Sequence, residues 1–404
     1  MEVWKKALEY EDYMIRQRRF FHRIPEPAWE EVKTTVAIQR ELENMGLHPV
    51  RFDGISGVCA EIRGTGEAKQ DRTLLLRADI DGVEMQEETG LSFASENPGY
   101  MHATGRDCHI AMLLGAARIL SDMKKDWGGR VRILFQAAEE SAQGAPEYIK
   151  RGILEGVNAV YAAHMYGRLP APQIDISYGY RMAGADKFDI EIQGVSSHGS
   201  LPHLGKDAIA AAAQVIQAIQ NYVARENNPL EPLVVSIGTI KGGHQRNTLA
   251  DLVKMEGTVR IHDPAARKRT EENLRRVITA AAGILGCTAN MHYQYMLPPL
   301  TNDQKLASIA LKAAEKLFGE ACITHLPAVM ASEDFAFYSE NIPGIYINIG
   351  CAAPGKENGN HNYSSHFQVE EKVLKNGAAL CAQFVMDYLS KEETEDGKIS
   401  EVLS

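Results

Sequence analysis

Residues 101–120 read MHATGRDCHIAMLLGAARIL. A polar opening, rich in ionisable groups, runs into an apolar stretch that predicts a helix from about His109 to Met123. On either side stand segments that read as buried strands, TLLLRADID (Thr73 to Asp81) before it and VRILFQAAEE (Val131 to Glu140) after it. VCAEIRG (Val58 to Gly64) and AVYAAHM (Ala159 to Met165) read the same way. The alternation predicts an α/β fold with a mostly parallel sheet flanked by helices on both faces.

Two helical patterns precede this region, from about Trp4 to His22 and from about Glu31 to Met45, the second closed by Gly46. Around Arg181 the pattern changes. KFDIEIQG, an Ala-rich helix from Asp207 to Val223, PLVVSIGTIKG, DLVKMEGTVRI, a helix from Ala265 to Leu285 and TANMHYQYM follow in turn. That β-α-β-β-α-β order is the ferredoxin-like α+β arrangement and reads as an insertion. The α/β pattern then resumes with a helix from about Asp303 to Phe318, the segment ASEDFAFYSE, the strand PGIYINIG and a helix from about Glu370 to Leu389. Residues 1–181 and 297–404 are thus expected to form one discontinuous domain, and 182–296 the inserted one. The charged terminal run KEETEDGKISEVLS is expected to fray.

A chain of 404 residues is long for a single core, which agrees with two domains. No apolar run approaches the roughly 18 residues that span a bilayer, and the first residues lack a signal-peptide core, so a cytoplasmic protein with no membrane partner is expected. The six cysteines (Cys59, Cys108, Cys287, Cys322, Cys351, Cys381) are scattered singly and read as thiols rather than a disulfide framework. A formal net charge of −10 without a basic cluster argues against nucleic acid as a partner.

Taken in chain order, LRADIDG, MHATGRDCHIAMLLGAA, FQAAEE, AAHMYG, GVSSHGSLPHLGKDAI, RNTLADLVKMEGTVR and SEDFAFY resemble the co-catalytic metallopeptidase and amidohydrolase family, which includes aminoacylases, hippurate hydrolases and indole-acetyl-amino-acid hydrolases. The resemblance covers nearly the whole chain. It implies that Glu139 is the general base, that Glu140 and His164 are metal ligands, and that His109 keeps its family place beside the substrate. In the inserted domain it implies that His198 stabilises the oxyanion on a dimer partner's active site and that Asn247 and Arg260 contact the substrate carboxylate or the intermediate, with His203 close by. A homodimer through the inserted domain follows from the same likeness. For the last ligand, relatives usually show H-S-P-x-F where this chain has NHNYSSHFQVEE. Aligned without a gap, Tyr363 takes the histidine's place; His361 is the favoured ligand and His366 the alternative.

The family's usual M-H-A-C-G-H-D-x-H also departs here, with Thr104 for the cysteine and Arg106 for the middle histidine. A neutral hydroxyl is a poor ligand for zinc or manganese, and a guanidinium offers no lone pair. Cys108 reads as a core thiol ahead of a substitute ligand. At most one divalent ion, zinc or manganese, is expected on Glu140, His164 and His361, or none. Arg106, if directed where the family histidine points, would set a fixed positive charge beside Glu140. Three functions are compatible with this pattern: an amidohydrolase acting on an N-acyl amino acid or small peptide-like amide, a metal-free enzyme using Glu139, Arg106 and His198, or a binding protein that turns nothing over.

Overall fold

The computed structural model describes residues 2–67 and 71–390. The expectation for the charged terminal run lies outside the described residues. The chain divides into two compact units, one of residues 1–178, 302–326 and 341–404, the other of 179–301 and 327–340. Segment 327–340, with all of SEDFAFY, thus groups with the second unit.

The longer strands, in chain order, are β1 (Val58–Arg63), β2 (Thr73–Asp79), β3 (Arg130–Gln136), β4 (Ala159–Pro170), β5 (Gly184–Gln193), β6 (Leu233–Gly242), β7 (Leu252–Ile261), β8 (Thr288–Leu297) and β9 (Gly344–Ala352). The longer helices are α1 (Glu11–His22), α2 (Val32–Asn44), α3 (Arg106–Asp122), α4 (Ala208–Arg225), α5 (Pro264–Ile284), α6 (Gln304–Phe318) and α7 (Leu374–Ser390).

The first unit is built on an eight-stranded sheet whose centre runs β1-β3-β2-β4-β9. Neighbours β3, β2, β4 and β9 are parallel, while β1 runs antiparallel to β3. The short strands Val50–Arg51 and Ile174–Asp175 are also antiparallel to their inner neighbours, β1 and β9. The sheet is therefore mixed, with the central strands β3, β2, β4 and β9 parallel and antiparallel pairs towards its edges. Every residue of β2 is buried, as suits a central strand covered on both faces, whereas β1 alternates towards solvent. Helices α1 and α7 pack on α3. The first helical pattern is broken at Tyr10 into Glu2–Glu9 and α1, and α3 begins three residues before His109.

The second unit carries a four-stranded antiparallel sheet in the order β6-β7-β5-β8, and its chain order is β-α-β-β-α-β. Ala211, Val215 and Ile219 of α4 and Leu274 and Ile278 of α5 bury their apolar stripes in one cluster with Ile190, Val253 and Met255 of the sheet. Asp207 caps α4 by accepting the amides of Ile209 (2.9 Å) and Ala210 (3.2 Å). No described helix is long and apolar enough to cross a membrane.

Candidate active site

The carboxyl ends of β2 and β3 lie side by side, with Asp79 in register with Gln136. Beyond Gln136 the chain turns through Ala137, Ala138, Glu139 and Glu140, and buried side chains pin that turn. Tyr148 Oη accepts the Ala137 amide at 3.1 Å and donates to Ser56 O at 2.5 Å. Glu31 Oε1 accepts the Ala138 amide at 2.8 Å, and Asp81 Oδ2 accepts the Glu140 amide at 2.9 Å. Ala138 is held at φ 61°, a left-handed conformation that costs an alanine about 1 kcal/mol, and the flanking hydrogen bonds offset that strain.

Gly105, at φ 86°, turns the chain into α3. A Cβ at this position would stand 2.8 Å from Met165 Cβ, so only glycine permits this approach to β4. Arg106 follows in the first helical turn and is 1% exposed. Its Nε donates to Asp79 Oδ2 at 2.6 Å, and one terminal nitrogen lies 3.5 Å from Asp81 Oδ2. The other terminal nitrogen lies 2.7 Å from Glu140 Oε1 and pairs with Glu139 Oε2. Burial alone would depress the guanidinium's pKa, but Asp81, Glu139, Glu140 and Asp79 outweigh it and keep the group charged. Burial would likewise raise the Asp79 carboxyl, and Arg77, His109 and Arg106 hold it well below the usual carboxylate range. At Asp81 burial prevails over Arg106 and the pKa stays raised. Burial and the nearby Asp81 push Glu31 up to about 8.

His109 has both ring nitrogens committed inside the protein. Nδ1 meets Asp79 Oδ1 at 2.8 Å, and Nε2 accepts the Met165 amide at 2.9 Å. That fixes the proton on Nδ1 and directs neither nitrogen at a substrate. His164 donates from Nδ1 to Met165 O at 2.8 Å and stands 4.4 Å from the His109 ring. His361 accepts from Arg168 Nε at 3.0 Å, and His366 lies against Ser365 on the surface. Tyr363, not His361, meets the acids: its hydroxyl donates to Glu140 Oε1 at 2.8 Å. Cys108 is a fully buried thiol.

Asp79, His109 and His164 form a group whose ligand atoms lie within 4.8 Å of one another. Yet Asp79 already faces Arg106 and His109, and His109 has no lone pair left to give. Thr104 Oγ1 has no hydrogen-bond partner among the described residues, but a neutral hydroxyl is a weak donor to zinc or manganese. The donors of this unit suit at most one weakly held divalent ion and do not fit a bridged pair.

Behind this cluster lies a second one that the sequence did not disclose. Asp107 Oδ2 accepts Arg18 Nε and His22 Nδ1, both at 2.8 Å, and His22 Nε2 meets Glu87 at 3.1 Å. Burial raises the Asp107 carboxyl, but Arg18 and His22 outweigh it and hold it far below its usual value. The partners lie 65 to 89 positions apart in the chain, so no local pattern could have signalled them.

The remaining predicted residues belong to the second unit. His198 Nδ1 lies 2.7 Å from Ser200 Oγ and accepts the Ser200 amide at 3.2 Å, and Gly199 N donates to Asn247 O at 2.7 Å. His203 sits exposed in a short 3-10 turn, and Arg260 lies on β7 between Ala185 and Val234.

The sequence model of peptidase family M20/M25/M40 matches residues 75–387. The chain is 35% identical over 389 residues to the "Probable hydrolase sll0100" of Synechocystis, covering 96% of this chain and 98% of the relative. It is 35% identical to the N-acetyl-L-cysteine deacetylase of Bacillus subtilis over 393 residues, covering 97% and 91%. Among solved structures it resembles the YXEP protein of Bacillus subtilis, a dinuclear metal binding peptidase of the M20 family, at 33% identity and a TM-score of 0.84, covering 94% of this chain and 99% of that one. Together with the altered cluster around Arg106, these likenesses lead to one conclusion: the chain belongs to peptidase family M20/M25/M40, a family of hydrolases, and carries a degenerate form of its dinuclear metal site.

Proposed function

We propose that this protein is an amidohydrolase for N-acyl amino acids or similar small amides, with Glu139 as general base. The observation that carries this reading is the pinned Ala137–Glu140 turn, which holds the Glu139 backbone between two buried acceptors at the carboxyl ends of parallel strands. The Bacillus subtilis deacetylase, similar over almost its whole length, supports the substrate class. In the reaction Glu139 takes a proton from the water that attacks the acyl carbonyl and later returns it to the leaving amine. His198 accepts at Nδ1, which leaves its proton on Nε2 in the neutral ring, the tautomer an oxyanion donor needs. Asn247 and Arg260 would bind the amino-acid carboxylate. The β-α-β-β-α-β unit, read as ferredoxin-like, would serve as the lid and the homodimer contact.

One observation favours a second reading, a protein that holds an acyl amino acid without turnover. Arg106 pairs with Glu139, which weakens that carboxylate as a base, and each guanidinium nitrogen already faces an acid rather than a substrate carbonyl. Turnover of an N-acetyl amino acid panel, measured with Glu139→Gln alongside, decides between them. Hydrolysis abolished by the substitution supports the enzyme; thermal stabilisation by the same compounds without hydrolysis supports the binder.

A further inference from the structure

The relative described as a dinuclear metal binding peptidase matches this chain along nearly its whole length, yet the acids at the foot of this sheet surround a guanidinium. Arg106 spreads over Asp79, Asp81, Glu139 and Glu140 from a fully buried position. A divalent ion among the same oxygens would stand within a few ångströms of a fixed positive charge. Its entry would require that charge to leave its ion pairs from a position that is 1% exposed, at a large desolvation cost. The neighbouring donors do not compensate, because Thr104 offers a neutral hydroxyl and His109 has committed both nitrogens. We propose that Arg106 is the resident cation of this site, balancing its carboxylates from within the chain and excluding divalent ions. The exclusion does not depend on whether the protein hydrolyses amides.

The test uses tag-free, full-length protein incubated with excess zinc or manganese, desalted, and assayed for bound metal and for melting temperature with and without EDTA. The expected result is less than about 0.1 equivalent of metal and a melting temperature unchanged within about 1 °C. Retention of about one equivalent or more, with a melting temperature that falls on chelation, overturns the proposal. The double variant Thr104→Cys with Arg106→His is expected to retain at least about one equivalent of zinc and to melt higher with it than with EDTA. If that variant folds and takes up no metal, Arg106 is not what excludes the ion and the proposal fails. Should it not fold, Arg106→Lys keeps the charge in place and is expected to stay metal-free, and metal uptake by it overturns the proposal equally.

Discussion

Arg106 Nε lies 2.6 Å from Asp79 Oδ2, while the other oxygen of Asp79 meets His109 Nδ1 at 2.8 Å and Arg77 at 3.3 Å. This places one cation at the head of α3 and another on β2 itself around a single buried acid, so the helix start and the sheet are joined by charge as well as by packing. Removing Arg106 takes the guanidinium from Asp79, Asp81, Glu139 and Glu140 at once, in a medium that solvates charge poorly.

Arg106→Met is accordingly expected to destabilise the protein by about 3 to 5 kcal/mol, the usual penalty for leaving buried charge uncompensated. Chemical denaturation at neutral pH measures it. The deficit should shrink as the medium is acidified towards the carboxylate range, because protonation relieves the surplus negative charge. A loss below about 1 kcal/mol would mean that the four acids do not depend on this guanidinium.

Much of this arrangement was legible in the sequence, and what was missed has physical causes. The apolar runs at Leu74–Leu76 and Ile133–Phe135 disclosed buried strands, and the motif residues disclosed which chain ends carry chemistry. Strand direction was not legible for β1, because its alternation is compatible with either direction and its partner β3 lies far downstream, with Val58 set against Phe135. The contact of Tyr363 with Glu140 was visible only as an ungapped alignment position, and side-chain proximity over 223 positions is a property of the fold. Glu31 read as a helix start. Its second task, holding the Ala138 amide, depends on a neighbour 107 positions away.

That task gives a pH dependence. The Glu31 pKa rises from the ordinary 4.5 to about 8, so between those values the folded chain keeps a proton that the unfolded chain releases. The associated stability is fully present below about 4.5 and is lost as the pH rises to about 8. Glu31→Gln keeps an oxygen for the Ala138 amide and removes the titration. Relative to the wild type, it should gain stability steadily from about pH 5 to about pH 8. Parallel stability curves for the two proteins over that range would show that Glu31 does not retain its proton.

Gly105→Ala tests the entry into α3. The new Cβ would suffer both the left-handed backbone at φ 86° and a contact of 2.8 Å with Met165 Cβ. A loss of about 2 to 4 kcal/mol in chemical denaturation is expected, combining the conformational penalty with overpacking. Gly46→Ala serves as the control: its φ is 75° but nothing lies within 4 Å of the added Cβ, so only the backbone penalty of about 1 kcal/mol should appear. Equal losses at the two positions would rule out steric crowding at β4 as the reason for Gly105.

Glu140 Oε1 is shared by Arg106 at 2.7 Å and the Tyr363 hydroxyl at 2.8 Å, so the two donors should be energetically coupled. Tyr363→Phe removes one hydrogen bond near the surface and is expected to cost about 0.5 to 1.5 kcal/mol. In the Arg106→Met background the same change should cost more, because Tyr363 is then the remaining donor of the two to a carboxylate that has lost its counter-charge. A double-mutant cycle by chemical denaturation should return a coupling of about 0.5 kcal/mol or more. Strict additivity would mean that Tyr363 and Arg106 do not act on the same carboxylate in solution, and that the tyrosine standing where relatives carry a histidine has no part in balancing the site.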